Sequence, residues 1–336
     1  MAFWTPGFVI HKGKIKKGGN GVADNSSGRV AERKRRSWLV GFVIRLVKEK
    51  PLGTIGLVIT LILLFVGIFA DFIAPYGLNE IHTDGMLEAP SFARFWLGAD
   101  NLGRDVLSRV IFGARISLIV GLAGATISAF LSILIGMLSG YIGGKFDLLV
   151  QRFVDAVMSI PGIILLIVII SMVGPGMFSI ITVLGVLGGI VGSRVVRSAV
   201  IGIKENVYVA AAVAIGCPTS RLLTHHILPN VMAPVIVLFS TQVPWVILTE
   251  ASLSFLGFGI PPPTPSWGGM LGVRGRPFMF LAPWMVIWPG LALAIVVYGI
   301  NMFGDAVRDI LDPRLRGGAG RYGVKGVKVQ KSRSKK

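Results

Sequence analysis

The feature that constrains this chain most is a series of apolar stretches that contain no Lys, Arg, Asp or Glu. A helix needs about 20 consecutive apolar residues to cross the hydrocarbon core of a bilayer. The sequence therefore predicts an all-α polytopic membrane protein with six transmembrane helices. We place the six spans at 52–70, 116–138, 156–173, 177–191, 231–249 and 278–303.

Charge is sparse in this chain and unevenly placed. Charged residues make up 15% of the sequence, whereas soluble domains carry about a quarter. Of the 34 Lys and Arg residues, 22 lie in 1–50 and 305–336, as the positive-inside rule produces, and such basic tails attract anionic lipid. With six crossings, 28 of the 34 fall on one side. We therefore expect a multi-pass protein of the cell (inner) membrane with both termini cytoplasmic, and no nucleic-acid partner.

The spans also set the domain organisation. Residues 1–37 are too polar to bury a core and are predicted to be disordered, and Pro161 is expected to kink the third span. The end of the first external loop is expected to form a short amphipathic helix. We predict a basic cytoplasmic N-terminal tail with an interfacial helix (1–50), a first transmembrane helix (51–76), an external loop (77–115), a core domain with five transmembrane helices (116–312) and a basic cytoplasmic tail (313–336).

Within the core domain, residues 205–230 form the longest run of mixed polarity between two apolar spans. Its sequence is ENVYVAAAVAIGCPTSRLLTHHILPN. Consecutive alanines favour helix and let another surface come close, whereas Gly216 and Pro218 indicate a break. The segment is predicted to form two short helices with a bend on the cytoplasmic side. A plain polar loop that joins two spans is the alternative.

The residues that could bind phosphate or a metal ion do not occur in the spacing that such sites require. The nearest approach to a phosphate-binding loop, SGYIGGKF, has Ser139 in place of the first Gly and Phe146 in place of the hydroxyl residue. No Cys or His cluster has zinc-ligand spacing, and Cys217 stands alone. We expect no catalytic residue, metal site or cofactor in this chain. Asp147, Arg152 and Asp155 are interpreted as a wetted internal face.

A carrier driven by ions keeps buried carboxylates or broken-helix ion sites near mid-membrane. The nearest candidates, Glu250 and Asp305, are expected to lie at span ends. This argues against ion coupling, although a self-sufficient secondary carrier or channel stays open as the alternative function. A membrane scaffold without a transport role is a third possibility. The external loop at 250–277 is rich in Gly and Pro and is predicted to be re-entrant or to lie on the surface.

Four stretches resemble one family. Ala211, Ala212, Gly216 and the run Ile227-Leu228-Pro229 resemble the coupling segment of ABC-importer permeases, with Ala210 where that family has Glu. The stretches 97–118, 247–271 and 301–316 resemble dipeptide and oligopeptide permeases, with Ala99 where Thr is usual. Together they are spread along 97–316 and indicate the C-type permease subunit of that importer class.

The resemblance implies a set of partners and two sites. The partners are a second permease subunit, two ABC ATPase subunits that bind the ATP, and an extracytoplasmic solute-binding protein. The implied substrates are di- or oligopeptides, although the class also carries nickel chelates and oligosaccharides. A coupling site for the ATPases would comprise Tyr208, Ala210, Ala211, Ala212, Gly216, Arg221 and Pro229. An external gate or binding-protein contact would comprise Glu250, Phe255, Pro262 and Trp267, unless the loop is only a structural plug.

Overall fold

The structure is a computed structural model, and it describes residues 38–311. The expectations for residues 1–37 and for the basic tail at 313–336 lie outside this range. The described chain is helical, and the fold class predicted from the sequence is confirmed. Its α-helices are α1 (Trp38–Glu49), α2 (Pro51–Ile68), α3 (Ala70–Ile73), α4 (Val106–Ile142), α5 (Gly144–Ser159), α6 (Gly162–Val173), α7 (Met177–Lys204), α8 (Val207–Ala214), α9 (Thr219–Arg221), α10 (Leu228–Phe255), α11 (Trp267–Gly269) and α12 (Trp284–Leu311).

Five helical segments of the described chain are long and apolar enough to cross a bilayer. They are α2, α4, α7, the continuous run Thr219–Phe255 that ends with α10, and α12. The pair α5 and α6 makes a sixth if it is counted as one broken span, because its halves meet at 92°. The described chain therefore has five crossings, or the six predicted from the apolar stretches if the broken pair is one span.

The bend between α5 and α6 corrects the prediction of a kink at Pro161. Ile160 has an extended backbone, with ψ of 132°, and Pro161 follows with ψ of 121°. A residue before proline is pushed away from helical geometry, which accounts for the extended Ile160. Because Pro161 is extended as well, two consecutive residues lie outside the helices and the chain turns by 92° between α5 and α6. At 1.5 Å per residue, α6 alone is about 18 Å long, which is shorter than the hydrocarbon core.

Two of the predicted spans are longer in the structure. The helix expected at 116–138 begins at Val106, so the predicted amphipathic helix is the first part of α4 and the irregular chain before it ends at Asp105. The carboxylate of Asp105 accepts the backbone N–H of Ser108 at 2.7 Å, which caps the new helix. The helix expected at 177–191 continues to Lys204. With 37 residues, α4 extends about 55 Å.

The helices pack closely where small residues face each other. Along the contact between α4 and α7, the hydroxyl of Ser132 donates to the carbonyl oxygen of Gly189 at 3.1 Å. Between α2 and α12, a Cβ on Gly56 would lie 2.4 Å from the carbonyl oxygen of Gly299. Small residues let helix backbones approach in a membrane, where apolar side chains gain little by leaving lipid. These contacts hold the long helices in one bundle.

Two segments with little regular α-helix flank α10, one at each end. At one end lies the elbow (residues 205–230), which contains α8, α9 and a π-helical turn, Leu222–Ile227. At the other lies the connector (residues 256–283), which contains α11, a π-helical turn at Met270–Gly275 and a 3₁₀ turn at Arg276–Phe278. The loop predicted at 250–277 therefore begins later, because α10 continues through Phe255.

Candidate functional site

The elbow joins α7 to α10 through one sharp turn. Gly216 has φ of +80°, a backbone conformation that side chains disfavour and glycine tolerates. Pro218 precedes α9, which runs without a break through the π-helical turn into α10. The predicted bend is therefore present. The second helical piece was expected to end at Pro229, and it instead continues as the membrane span.

One face of the elbow is anchored in the protein core. Val209 and Ala212 of α8, with Leu222 and Ile227 of the turn, are buried in a cluster that includes Val200 of α7. Moving one of these side chains out of the cluster would leave a cavity that the packed surroundings fill only in part, and this is energetically unfavourable. Because four buried side chains hold it, the elbow keeps a fixed position relative to α7.

The opposite face of the elbow presents apolar side chains to its surroundings. Val207 and Ile215 are each 85% exposed, and Val213 and Tyr208 are also exposed. The hydroxyl of Tyr208 accepts a hydrogen bond from Asn230 Nδ2 at 3.2 Å, which links α8 to the start of α10. Exposed apolar residues grouped on a rigid short helix are typical of a docking surface.

The residues proposed from the sequence for ATPase coupling divide between these two faces. Ala212 is buried against the core, so we assign it to packing and not to contact with a partner. Val207 and Ile215, which were not predicted from the sequence, are the most exposed apolar residues of the elbow, and no local pattern distinguishes Val207 from the buried Val209. The remaining proposed residues are exposed or form the turn: Tyr208, Ala210, Ala211, Gly216, Arg221 and Pro229.

Ion pairs tie α5 to α7 near the elbow. Asp147 accepts a hydrogen bond from Arg197 Nε at 2.6 Å and another from the hydroxyl of Ser139. Asp155, also on α5, pairs with Arg194, which lies on α7 like Arg197. The two acids lie eight residues apart and the two arginines three apart, spacings that place each pair on one helix face. The predicted wetted face is therefore an interface between two helices for these two acids, while Arg152 stays largely exposed.

At the other end of α10, Glu250 and Trp267 are buried side chains. Ser254 donates a hydrogen bond to Glu250 Oε1 at 2.6 Å inside α10. Trp267 is 2% exposed, and its indole N–H donates to the carbonyl oxygen of Val110 at 3.0 Å. Neither residue can contact an outside partner directly. Of the residues proposed for a gate or a binding-protein contact, Phe255 and Pro262 are the exposed ones.

The chain between α3 and α4, predicted as an external loop, is compact although nearly all irregular. Arg94 donates to both carboxylate oxygens of Asp84 at 2.9 Å, and these hydrogen bonds lower the pKa of Asp84. The ring of Phe95 lies 5.5 Å from that of Tyr76 and 5.7 Å from that of His82. The segment packs on the start of α12, because Trp284 Nε1 donates to the carbonyl oxygen of Ala99 at 3.0 Å.

A cleft of about 500 Å³ opens between α6, α7 and α10. Most of its lining is apolar, but Thr241 and Gln242 of α10 bring polar groups into it beside Trp245. An amide and a hydroxyl can each donate and accept hydrogen bonds. The cleft can therefore hold a solute that carries both apolar groups and hydrogen-bonding groups.

Among residues 38–311, no three His, Cys, Asp or Glu side chains are grouped so that they could hold a metal ion. In the elbow, His225 Nδ1 lies 2.7 Å from the hydroxyl of Thr224.

Comparison with known proteins gives consistent matches. Residues 132–317 match the family described as binding-protein-dependent transport system inner membrane component, and residues 39–90 match the N-terminal TM domain of oligopeptide transport permease C. The Dipeptide transport system permease protein DppC of Alkalihalophilus pseudofirmus is 37% identical over 80% of this chain and 88% of its own length. The Oligopeptide transport system permease protein OppC of Bacillus subtilis is 36% identical over the same shares.

Two further proteins are similar. The Glutathione transport system permease protein GsiD of Pectobacterium atrosepticum is 36% identical over 76% of this chain and 85% of its own length. A chain from a solved structure of the MetNI methionine ABC transporter is 20% identical, with a TM-score of 0.47, and the match covers 61% of this chain and 96% of that one.

Proposed function

This chain belongs to the family of binding-protein-dependent transport system inner membrane components, and from that premise we propose that it forms half of the membrane pathway of an ATP-driven peptide importer. It is a multi-pass inner-membrane permease subunit. The other half of the pathway would come from a second permease subunit. Two ABC ATPase subunits would bind the ATP on the cytoplasmic side, and an extracytoplasmic solute-binding protein would deliver the solute.

The observation that carries this proposal is the two-faced elbow. A helix that lies in a groove on another protein transmits force through the face it buries there. The exposed Val207 and Ile215 supply that face, and the buried Val209 and Leu222 connect it to α7. Movement of an ATPase subunit would therefore reach the span α7 without being absorbed by a flexible loop.

The distribution of charge indicates on which side of the membrane the elbow lies. Most Lys and Arg residues fall on the side of the membrane where the six-span topology places the elbow and both termini. We propose that this side is cytoplasmic, where ATP is available to the partner ATPases. This permease subunit would itself be no enzyme and would need no cofactor.

The solute would be a di- or oligopeptide. Similar proteins are named as dipeptide, oligopeptide and glutathione permeases, and glutathione is itself a short peptide. The cleft between α6, α7 and α10 suits such a solute, since Gln242 and Thr241 can bond peptide groups while its apolar walls contact side chains. The second permease would complete the enclosure, so this chain alone does not set the preferred peptide.

The decisive test compares two exposed valines at opposite ends of α10. Val207→Asp places a charge on the docking face of the elbow, and Val273→Asp places the same charge on the connector. In the complex reconstituted with its binding protein, Val207→Asp should abolish ATP-dependent peptide uptake and release the ATPase subunits during purification. Val273→Asp should retain the ATPase subunits.

Two further variants support this test. Ala211→Asp and Gly216→Pro should uncouple ATP hydrolysis from uptake while the chain still inserts in the membrane, because proline cannot adopt a φ of +80°. Normal uptake and normal ATPase retention in Val207→Asp would overturn the coupling assignment. Peptide flux through vesicles that contain this chain alone would instead favour a self-sufficient carrier or channel.

A further inference from the structure

A cluster of charged residues is buried where the start of α4 meets the connector. Asp100, Arg104 and Arg109 are each at most 5% exposed, and Arg274 of the connector is half-buried beside them. Three guanidinium groups therefore share one carboxylate. An arginine side chain stays protonated in proteins, so it cannot remove its charge by losing a proton, as a buried lysine does.

The carboxylate in this cluster is already occupied. Asp100 accepts Arg104 Nε at 2.7 Å, and it also accepts the backbone N–H groups of Leu102 and Arg104 at 2.8 and 3.0 Å. Arg109 Nε lies 3.8 Å from Asp100, beyond hydrogen-bond distance. Among residues 38–311, the buried Nη1 and Nη2 atoms of Arg109 have no hydrogen-bond partner.

Other acidic side chains near this end of the bundle make no ion pair with Arg109 or Arg274. Asp84 and Glu88 pair with Arg94, Asp105 accepts from Ser108, and Glu250 accepts from Ser254. Burying a charge without a counter-charge beside it is costly. The guanidinium group of Arg109 therefore calls for an anion that the described residues 38–311 do not supply.

The space available sets the size of that anion. Asp100, Arg109 and Arg274 line a small cavity with Val106, Met270 and Met285, and it has room for about one water molecule. Of the common anions, a monatomic halide comes nearest to this size, whereas a carboxylate compound or a phosphate is much larger. Both unpartnered nitrogens of Arg109 belong to a residue that lines this cavity.

We propose that this cavity is a halide site, with chloride held between Arg109 and Arg274. The ion balances the charge of the cluster and connects three segments: the chain before α4, α4 itself and the connector. The site is separate from the elbow and from the cleft, so its failure would leave the proposed transport function untouched.

The experiment measures halide-dependent stability of the full-length chain in detergent at constant ionic strength. Replacing sodium gluconate with sodium chloride or bromide should raise Tm saturably by roughly 3 °C, because a ligand that binds the folded state stabilises it. The ³⁵Cl NMR signal should broaden in the presence of the chain and sharpen again when bromide is added.

Variants locate the site. Arg109→Gln should remove both the halide-dependent rise in Tm and the ³⁵Cl broadening. Arg276→Gln changes the charge equally at an exposed position of the connector and should retain both. Arg274→Gln, at a half-buried position that tolerates substitution better, should weaken the apparent chloride affinity about tenfold. The proposal is overturned if chloride and gluconate give the same Tm, which means that the cavity holds only water, or if Arg109→Gln keeps the full halide response.

Discussion

The elbow and the connector lie at opposite ends of α10 and both depend on glycine, but in opposite ways. Gly216 of the elbow has open space around it, and its positive φ is what the turn requires. Gly268 of the connector is pressed against the backbone of Ala251, where a Cβ would lie 2.1 Å from the carbonyl oxygen. In the elbow, glycine serves the shape of the chain, whereas in the connector it serves close packing.

This difference indicates how each region works. The connector packs against α4, α10 and α12 through buried residues such as Trp267, so we expect its packed part to move together with those helices. The elbow is anchored by one face and leaves the other free for a partner. Substitutions at buried positions of the connector should therefore lower the stability of the protein. In the elbow, substitutions on the buried face should lower stability, whereas those on the exposed face should change coupling to the ATPases without changing stability.

The largest effect is expected for Gly268→Ala. The added methyl group meets backbone atoms that cannot rotate away, so we expect a loss of about 3 kcal/mol or more in the free energy of unfolding. Thermal unfolding of the purified chain measures it. Gly269→Ala is the matched control, since its Cβ would meet only the hydroxyl of Ser266 at 3.1 Å. Equal Tm values for the two variants would contradict the packing argument.

Leu222→Ala tests the anchored face of the elbow. Leu222 is fully buried, and removing most of its side chain should leave a cavity and cost about 2.5 kcal/mol. Chemical denaturation gives the value. Val207→Ala, on the exposed face, should change stability by less than about 0.5 kcal/mol. If both substitutions have the same effect, the elbow does not have two distinct faces.

Gly216→Ala should cost about 1 kcal/mol, because an L side chain is strained at this positive φ although there is room for it. Gly202→Ala near the end of α7 also has open space but no positive φ, and it should be neutral or stabilising by up to about 1 kcal/mol. Comparison of the two Tm values isolates the backbone contribution. A stabilised Gly216→Ala variant would show that the turn does not need glycine.

The smallest effect is expected for Tyr208→Phe. This change removes the exposed hydrogen bond to Asn230 and should cost about 0.5 kcal/mol, with uptake reduced less than twofold. Tyr298→Phe, on an exposed position of α12, should cause no measurable change. A loss of uptake as complete as that expected for Val207→Asp would mean that this link contributes as much to the coupling as the apolar face.

The sequence predicts well what depends on neighbouring residues. Apolar stretches without charge located the spans, and Gly216 with Pro218 located the bend of the elbow. The right angle at Ile160 and Pro161 was predicted only as a kink, since proline indicates a break but not the angle at which the next helix packs.

Features that depend on distant residues were missed. Asp147 and Arg197 lie 50 positions apart, and nothing local indicates that their helices meet. Trp267 was predicted to belong to an external gate or binding-protein contact, but it is buried against α4, where Gly113 leaves room for the ring. In both cases the tertiary arrangement decided the environment of the side chain, and short-range patterns cannot show it.

The length of α4 has a geometric consequence. One rigid rod extends from the arginine cluster beside Asp105 to Ser139, which contacts Asp147 near the elbow. Over about 55 Å, a tilt of about 10° displaces one end by about 10 Å relative to the other. A rod that rocks about its middle swings its ends in opposite directions, so space gained on one side of the bilayer is lost on the other. If α4 rocks in this way, the two sides of the bilayer open in alternation.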